Sequence, residues 1–188
     1  MNVHDIDEHL MLKVKKGDIK AFEILVEKYQ KPMYNFAFRM LGSDEDAQDM
    51  TQEIFIRVYK AAPTYEVKAK FSTWIYKIAR NLCLNYIRDH KTGSLVSLED
   101  SHGEFDFPEK SVDANPLKKL EMKDMGKRIV KAVHKLPENL KMTVILCKYH
   151  GMPYDEAAEI LGCSVNALKI RIHRARKLLT DYLKSDSL

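Results

Sequence analysis

Chain breakers, crosslinks and long apolar runs are all scarce in this 188-residue chain. Seven glycines and six prolines fall below the usual combined share of about 12%. With nine methionines, that scarcity points to a mostly helical chain. The three cysteines, Cys83, Cys147 and Cys163, are too few and too scattered for a disulfide framework, so a reducing cytoplasm is expected. The longest uninterrupted apolar run is four residues, Val144 to Cys147. A run that short excludes a membrane span, and the polar opening MNVHDIDEHL does not resemble a secretory signal, so no membrane insertion is expected. There is no Gly-rich phosphate loop and no His-x-Glu or Cys-x-x-Cys pair, and the seven histidines are dispersed. Cys147-x-x-His150 with Cys163 is the single metal-like cluster, and the apolar neighbours Val144 to Leu146 make Cys147 a core residue instead. No enzyme, catalytic residue, cofactor or metal is therefore expected.

What is present is a soluble, core-forming composition with segregated charge. Apolar residues make up 45% of the chain and charged residues 31%, for a net charge of +4. That overall bias is weak, but its distribution is informative. Over 43–56 there are five acids (Asp44, Glu45, Asp46, Asp49, Glu53) and no base. Over 164–179 there are five bases (Lys169, Arg171, Arg174, Arg176, Lys177) and no acid. Such segregation suggests two partners of opposite surface charge.

The periodicity predicts an all-α protein of two small helical domains, 1–90 and 116–188, joined by a flexible linker over 91–115. Phe22, Leu25, Val26 and Tyr29 mark a first helix after Gly17-Asp18, and Pro32 is expected to open the next turn or helix. Ser43 is a natural N-cap for a helix over 44–61, which Pro63 ends. A long helix near Ser72 runs to about His90 with an apolar stripe of Phe71, Ile75, Ile78, Leu82 and Ile87. After the linker, Asn115-Pro116 opens a helix to about Lys135, and another runs from Pro137 to Tyr149. A short helix over 153–161, a Gly162-Cys163 turn and a long basic helix from Ser164 to about Lys184 complete the chain.

That last arrangement has the pattern of a helix-turn-helix. Val165, Leu168, Ile172, Ala175 and Leu179 fall at spacings of 3, 4, 3 and 4, one buried stripe. Asn166, Lys169, Ile170, His173, Arg176 and Lys177 point away from it, with Arg171 and Arg174 on the flanks. Asn166 and Lys169 are thereby offered to base edges and the arginines to phosphates. A charge run of this kind is usually a solvated face; the absence of every acid over sixteen residues, with the turn and the stripe, favours DNA binding. Residues 65–88 interleave Lys68, Lys70, Lys77, Arg80 and Arg88 with Tyr65, Phe71, Trp74, Tyr76 and Tyr86. Cations that follow phosphates and rings that stack on unpaired bases suit single-stranded nucleic acid, and Asn81 can read an extruded base. Phe71 and Trp74 at helical spacing fit a core equally well, and Tyr86 is expected to be packed.

Four strings in order, GDIKAFEILVEKYQ, RMLGSDEDAQDMTQEIFIRVYKA, KFSTWIYKIARNLCLNYIR and LPENLKMTVILCKYHGMPYDEAAEILGCSVNALKIRIHRARKLL, resemble a bacterial sigma factor of the extracytoplasmic-function (ECF) class. The resemblance implies that 1–90 is sigma region 2 and 116–188 is region 4. It implies a transcription initiation factor that binds core RNA polymerase, directs it to promoters through −10 and −35 elements and helps open the DNA. On that basis Asp46, Asp49, Gln52, Glu53 and Phe55 dock on the polymerase. Tyr65, Lys68, Lys70, Phe71, Ser72, Thr73, Trp74, Lys77, Arg80, Asn81 and Arg88 hold the −10 single strand, with Asn81 near the flipped base. Ser164, Asn166, Lys169, Ile170, Arg171, His173, Arg174 and Arg176 contact the −35 element. Asn166-Ala167-Leu168 stands where the family more often shows Gly-Thr-Val, and Ile170 where a small polar residue is usual, so the −35 preference is expected to differ. The family usually has an anti-sigma factor, which the resemblance implies as a further partner. The extra N-terminal and middle regions of housekeeping factors are missing, as expected for the small class.

The linker reaches at most about 80–90 Å, enough for two DNA-reading domains about 50–70 Å apart. It is net acidic and could occupy a basic polymerase channel. The competing reading is a one-component helix-turn-helix regulator with a sensing domain. The acidic helix followed by a basic, aromatic stretch fits polymerase docking and strand capture better.

Overall fold

The computed structural model describes residues 3–90, 125–126 and 128–185, so the 91–115 linker and the opening of the helix expected from Asn115 lie outside the described residues. The order is α1 (Val3–Lys15), α2 (Ile19–Leu41), α3 (Asp44–Ala61), a 3-10 turn (Ala62–Thr64) and α4 (Phe71–His90). A helical segment over 128–134 (α5), α6 (Glu138–Val144), a π turn (Ile145–Tyr149), α7 (Tyr154–Leu161) and α8 (Val165–Ser185) follow. Among the described residues there is no strand, and no helix is long and apolar enough to cross a membrane.

Local chemistry sets the element ends. Asp18 caps α2 by accepting from the Ala21 amide at 3.1 Å, and Ser43 caps α3 by accepting from the Asp46 amide at 3.2 Å. The three acids of the first turn of α3 meet the positive end of the helix dipole. Between the two helices Gly42 adopts φ 83°, a left-handed cap that most side chains resist.

Pro32 corrects one expectation. It lies inside a single 23-residue helix instead of opening a new element. An interior proline costs about 3 kcal/mol. Beyond it, Met33, Phe36 and Met40 are each buried to 1% or less, and each such side chain contributes about 1.5–3 kcal/mol. The apolar stripe Leu25, Tyr29, Met33, Phe36 and Met40 therefore carries the helix through the proline. α1 is an element that periodicity did not reveal. It buries Met11 and Val14 together with two carboxylates, Asp7 and Glu8. Asp7 is satisfied by Lys28 Nζ and by the Tyr29 hydroxyl, each at 2.7 Å. Burial beside that carboxylate raises the Tyr29 phenol far above its ordinary value.

α1 to α4 wrap a core centred on Phe36, Leu25, Ile54, Phe71 and Ile75, all fully buried. The C-terminal helices build a second cluster in which Val133, Leu136, Leu140 and Val144 pack on Ala175 of α8. The two units also pack on each other, because the first core continues into Met142, Ile145, Leu146, Ala157, Ile160 and Leu168.

Candidate nucleic-acid interface

The aromatic, basic stretch after α3 forms a concave site. Lys15 Nζ donates to the Tyr65 carbonyl at 2.8 Å and fixes the loop from below. The buried Glu8 carboxylate accepts from the Phe71 amide at 2.6 Å. An acid of α1 thus ties down the first amide of α4, placing negative charge at that helix's positive end. Tyr65, Phe71 and Trp74 form a triad in which Tyr65 is edge-on to both other rings and Phe71 and Trp74 are tilted, with Tyr65 to Trp74 at 5.0 Å and Phe71 to Trp74 at 5.7 Å between ring centres. Phe71 is wholly buried, Tyr65 nearly so, and Trp74 half-buried. The two rings differ in burial: Phe71 belongs wholly to the core, and Trp74 is shared between core and surface. Tyr65 and Trp74, with Lys68, Lys77 and Thr64, line a cavity of about 320 Å³. Burial, reinforced by Glu8 and Asp7, pushes the Tyr65 phenol up to about 12, so it stays a neutral donor.

The other expected strand-binding residues divide the same way. Thr73 is buried beneath the site, Ser72 and Arg80 are half-buried, and Asn81 and Arg88 are exposed. Asn81 accepts from Arg80 at 3.4 Å, and Arg88 pairs with Asp89 at 3.1 Å. Lys68 pairs with Glu66 at 2.7 Å in full solvent. Each of that exposed pair favours the other's charge, Glu66 titrating below and Lys68 above its usual range.

On α3, Asp49 and Gln52 are exposed, and Glu53 is held by Arg57 one turn on, at 2.7 Å. Asp46 is engaged internally, where it accepts from the Tyr86 hydroxyl at 2.6 Å. Tyr86 is thereby packed between helices as expected, and burial with this bond raises its phenol to about 12. Phe55 points inward, 8% exposed and edge-on to Phe22 at 6.4 Å. The apolar groups that α3 does present are Ile56 and Tyr59, 45% and 50% exposed. Phe55 entered the docking set through the family resemblance, and nothing in the local pattern distinguishes it from its equally apolar neighbour Ile56.

On α8 the Ser164 hydroxyl accepts from the Ala167 amide at 3.2 Å and opens the helix. Gly162, at φ 62°, makes the turn from α7. Leu168 and Ala175 are fully buried; Ile172 and Leu179 are half-buried, and Val165 is exposed, so the inward stripe is narrower than its spacing suggests. Asn166, Lys169, Ile170, His173, Arg174 and Arg176 are exposed, and Arg171 is half-buried. Among the described residues the cations of this face have no ion pair, so they are open to phosphate.

Residues that sequence reasoning did not single out join the two units. Glu156 and Glu159 of α7 pair with Lys70 and Lys77, the latter at 2.9 Å. The Tyr76 hydroxyl bonds His150 Nδ1 at 2.8 Å, and both rings sit against Phe36. Burial, with the Arg39 charge, holds His150 down to about 4. The thiols are free, Cys83 and Cys147 buried and Cys163 half-buried, and burial pushes Cys83 up to about 12. Among the described residues no cluster of histidine, cysteine and carboxylate could hold a metal ion.

Comparison with known proteins covers nearly the whole chain. Residues 25–92 match the Sigma-70 region 2 family, and residues 126–179 match Sigma-70, region 4. The chain is 33% identical to the ECF RNA polymerase sigma factor SigW of Bacillus subtilis over 91% of its own length and 93% of the relative's. It is 32% identical to the ECF RNA polymerase sigma-E factor of Escherichia coli over 92% of each. Its fold is similar to that of CnrH solved with the cytosolic domain of CnrY, with a TM-score of 0.69 and 24% identity over 96% of this chain and 99% of that one. It is also similar to the sigma factor RpoE of Bartonella quintana solved with the anti-sigma factor NepR, with a TM-score of 0.67 and 21% identity over 89% and 99%.

Proposed function

The chain belongs to the ECF family of RNA polymerase sigma factors, and from that membership we propose a division of labour among its three surfaces in transcription initiation. The polar face of α3, Asp49, Gln52 and Glu53, meets core RNA polymerase, with Ile56 and Tyr59 as the apolar part of the contact. Asp46 and Phe55 hold that helix in place from within. The cavity of Tyr65 and Trp74 takes an unstacked base of the −10 element, while Lys68, Lys70, Lys77 and Arg88 follow the strand's phosphates and Asn81 reads a base edge. The open face of α8 reads the −35 duplex through Asn166, Lys169, Ile170 and His173, with Arg171, Arg174 and Arg176 on phosphates and Ser164 at the helix start. Residues 1–90 are the region 2 unit, 116–188 the region 4 unit and 91–115 their tether.

The observation that carries this reading is the pairing of an aromatic, lysine-rimmed cavity on one unit with a basic helix face on the other that is free of ion pairs among the described residues. The work is binding, without catalysis. Unstacking costs a few kcal/mol per base, and each base stacked on an aromatic returns about 1–3 kcal/mol. A protein that relies on so few stacked bases needs a well-matched promoter. We place the protein in the cytoplasm, where the polymerase is, and propose an anti-sigma factor as its regulator.

Run-off transcription with core RNA polymerase on a promoter library, with and without the protein, tests the proposal. Protein-dependent transcripts that share two upstream motifs are the expected result. Absence of core binding overturns it, and stable duplex binding without polymerase would restore the one-component regulator.

A further inference from the structure

The acids that join the two units sit where the proposed nucleic-acid strand needs cations. Glu156 and Glu159 are three residues apart on α7 and so share one face of that helix. They pair with Lys70 at the end of the loop and Lys77 two turns along α4. Glu159 also lines the cavity of Tyr65 and Trp74. One carboxylate thus occupies the rim of the base site, and the other takes the lysine on its flank. The Lys70 ammonium is raised above its ordinary range, chiefly by its bond to Glu156. Nothing comparable covers α8, whose cations are free of ion pairs among the described residues.

We propose that α7 is an internal stand-in for the single strand, its carboxylates Glu156 and Glu159 occupying phosphate positions on Lys70 and Lys77, so that strand capture requires the C-terminal unit to leave. The proposal rests on the strand-binding reading of the cavity. The two ion pairs are part-exposed and contribute little to holding the units together. Closure is held instead by the apolar contact of Met142, Ile145, Leu146 and Ala157 with the first core and by the Tyr76–His150 bond. What the pairs do is compete: each must be broken before a phosphate can take its lysine. Closed, the protein exposes its duplex-reading face and covers its strand-reading one. That order of availability keeps a free copy from trapping single-stranded DNA.

Trp74, the only tryptophan of the chain, sits in the cavity and reports on it without labels. The test titrates the full-length protein with a short single-stranded −10 oligonucleotide and follows Trp74 emission, with small-angle scattering on the same samples to read separation of the units. The variants are E156Q/E159Q, and D155N as a control for charge at a distance, since Asp155 is an exposed neighbour on the same helix that acts on Lys70 through its field, behind the direct bond of Glu156. The expected result is about three- to tenfold tighter binding by the double variant, two lost pairs of the part-exposed class, with little change for D155N. In the unsubstituted protein the radius of gyration should rise as the strand binds. Equal affinity for the unsubstituted protein and the double variant overturns the proposal, as does binding with no expansion or an equal gain in D155N. If neither the protein nor E156Q/E159Q binds the strand at all, and run-off transcription also fails, the strand-binding reading itself falls.

Discussion

Acid should loosen this protein well above the pH at which ordinary carboxylates protonate, and two histidines set the amount. His150 is wedged between the units, with Tyr76 of α4 on its Nδ1, Phe36 at its face and the Arg39 charge nearby. His134, on the segment over 128–134, is similarly enclosed near Lys141. Burial is the main cause in each case, and both are held down to about 4 from an ordinary 6.5. Such a group binds its proton better when unfolded. Its contribution to stability is complete above about pH 6.5 and drains away as the pH falls toward 4. Between pH 7.5 and 5 the unfolded histidine gains most of a proton and the folded one almost none. At 1.36 kcal/mol per pKa unit, each histidine then removes about 2 kcal/mol, and the pair about 4 kcal/mol. Normal carboxylates, near 4, add little in that window. Denaturant unfolding at both pH values, on the protein and on His150→Gln, isolates the share. Glutamine offers Tyr76 an acceptor but cannot titrate. The variant should lose about half as much stability on acidification as the unsubstituted protein does. Equal losses would refute the assignment, whatever the variant's stability at pH 7.5.

Three further outcomes are expected. Gly162→Ala meets no atom within 4 Å but must hold φ 62°, so it should destabilise by about 1 kcal/mol through backbone strain alone, read from the denaturant midpoint; an unchanged midpoint would deny the strain. Asn81→Ala should impair promoter opening, followed by permanganate reactivity of the −10 thymines, more than duplex binding; equal loss in both assays would remove it from base reading. Arg174→Ala should weaken −35 binding about uniformly across sequences and lower the salt dependence by about one counterion; a sequence-selective loss at constant salt slope would make it a base reader instead.

Much of the fold was legible because most elements obey local rules. α3 runs from Asp44 to Ala61 between the Ser43 cap and Pro63, as capping and breaker chemistry dictate. α1 was not legible, because its inward face carries Asp7 and Glu8. Their partners, Lys28, Tyr29 and the Phe71 amide, lie 21 to 63 residues away. A buried carboxylate breaks the apolar period, and only distant donors make it tolerable. Pro32 misled for the converse reason: local chemistry favoured a break, and tertiary burial of Met33, Phe36 and Met40 overrode it.

The site divides along the same line between local and distant causes. The basic face of α8 is exposed at the positions its spacing implies, because a helix surface depends on residues three and four apart. The outward face of α3 was blurred at Phe55 and Ile56, where one helical step of 100° decides which ring or branch is buried and hydrophobicity is equal on both sides. Glu156 and Glu159 carried no signal at all. Two acids at i and i+3 on a short helix read as a solvated face, and their cationic partners stand 86 and 82 residues earlier in the chain. Such a contact draws on charge complementarity between two surfaces, each of which already has an adequate reading alone. The acids resemble ordinary surface, and the lysines fit the proposed strand contact. A residue whose chemistry fits an external ligand can therefore conceal an internal one, and only the packing of the two units reveals the carboxylate partners of Lys70 and Lys77 within the chain.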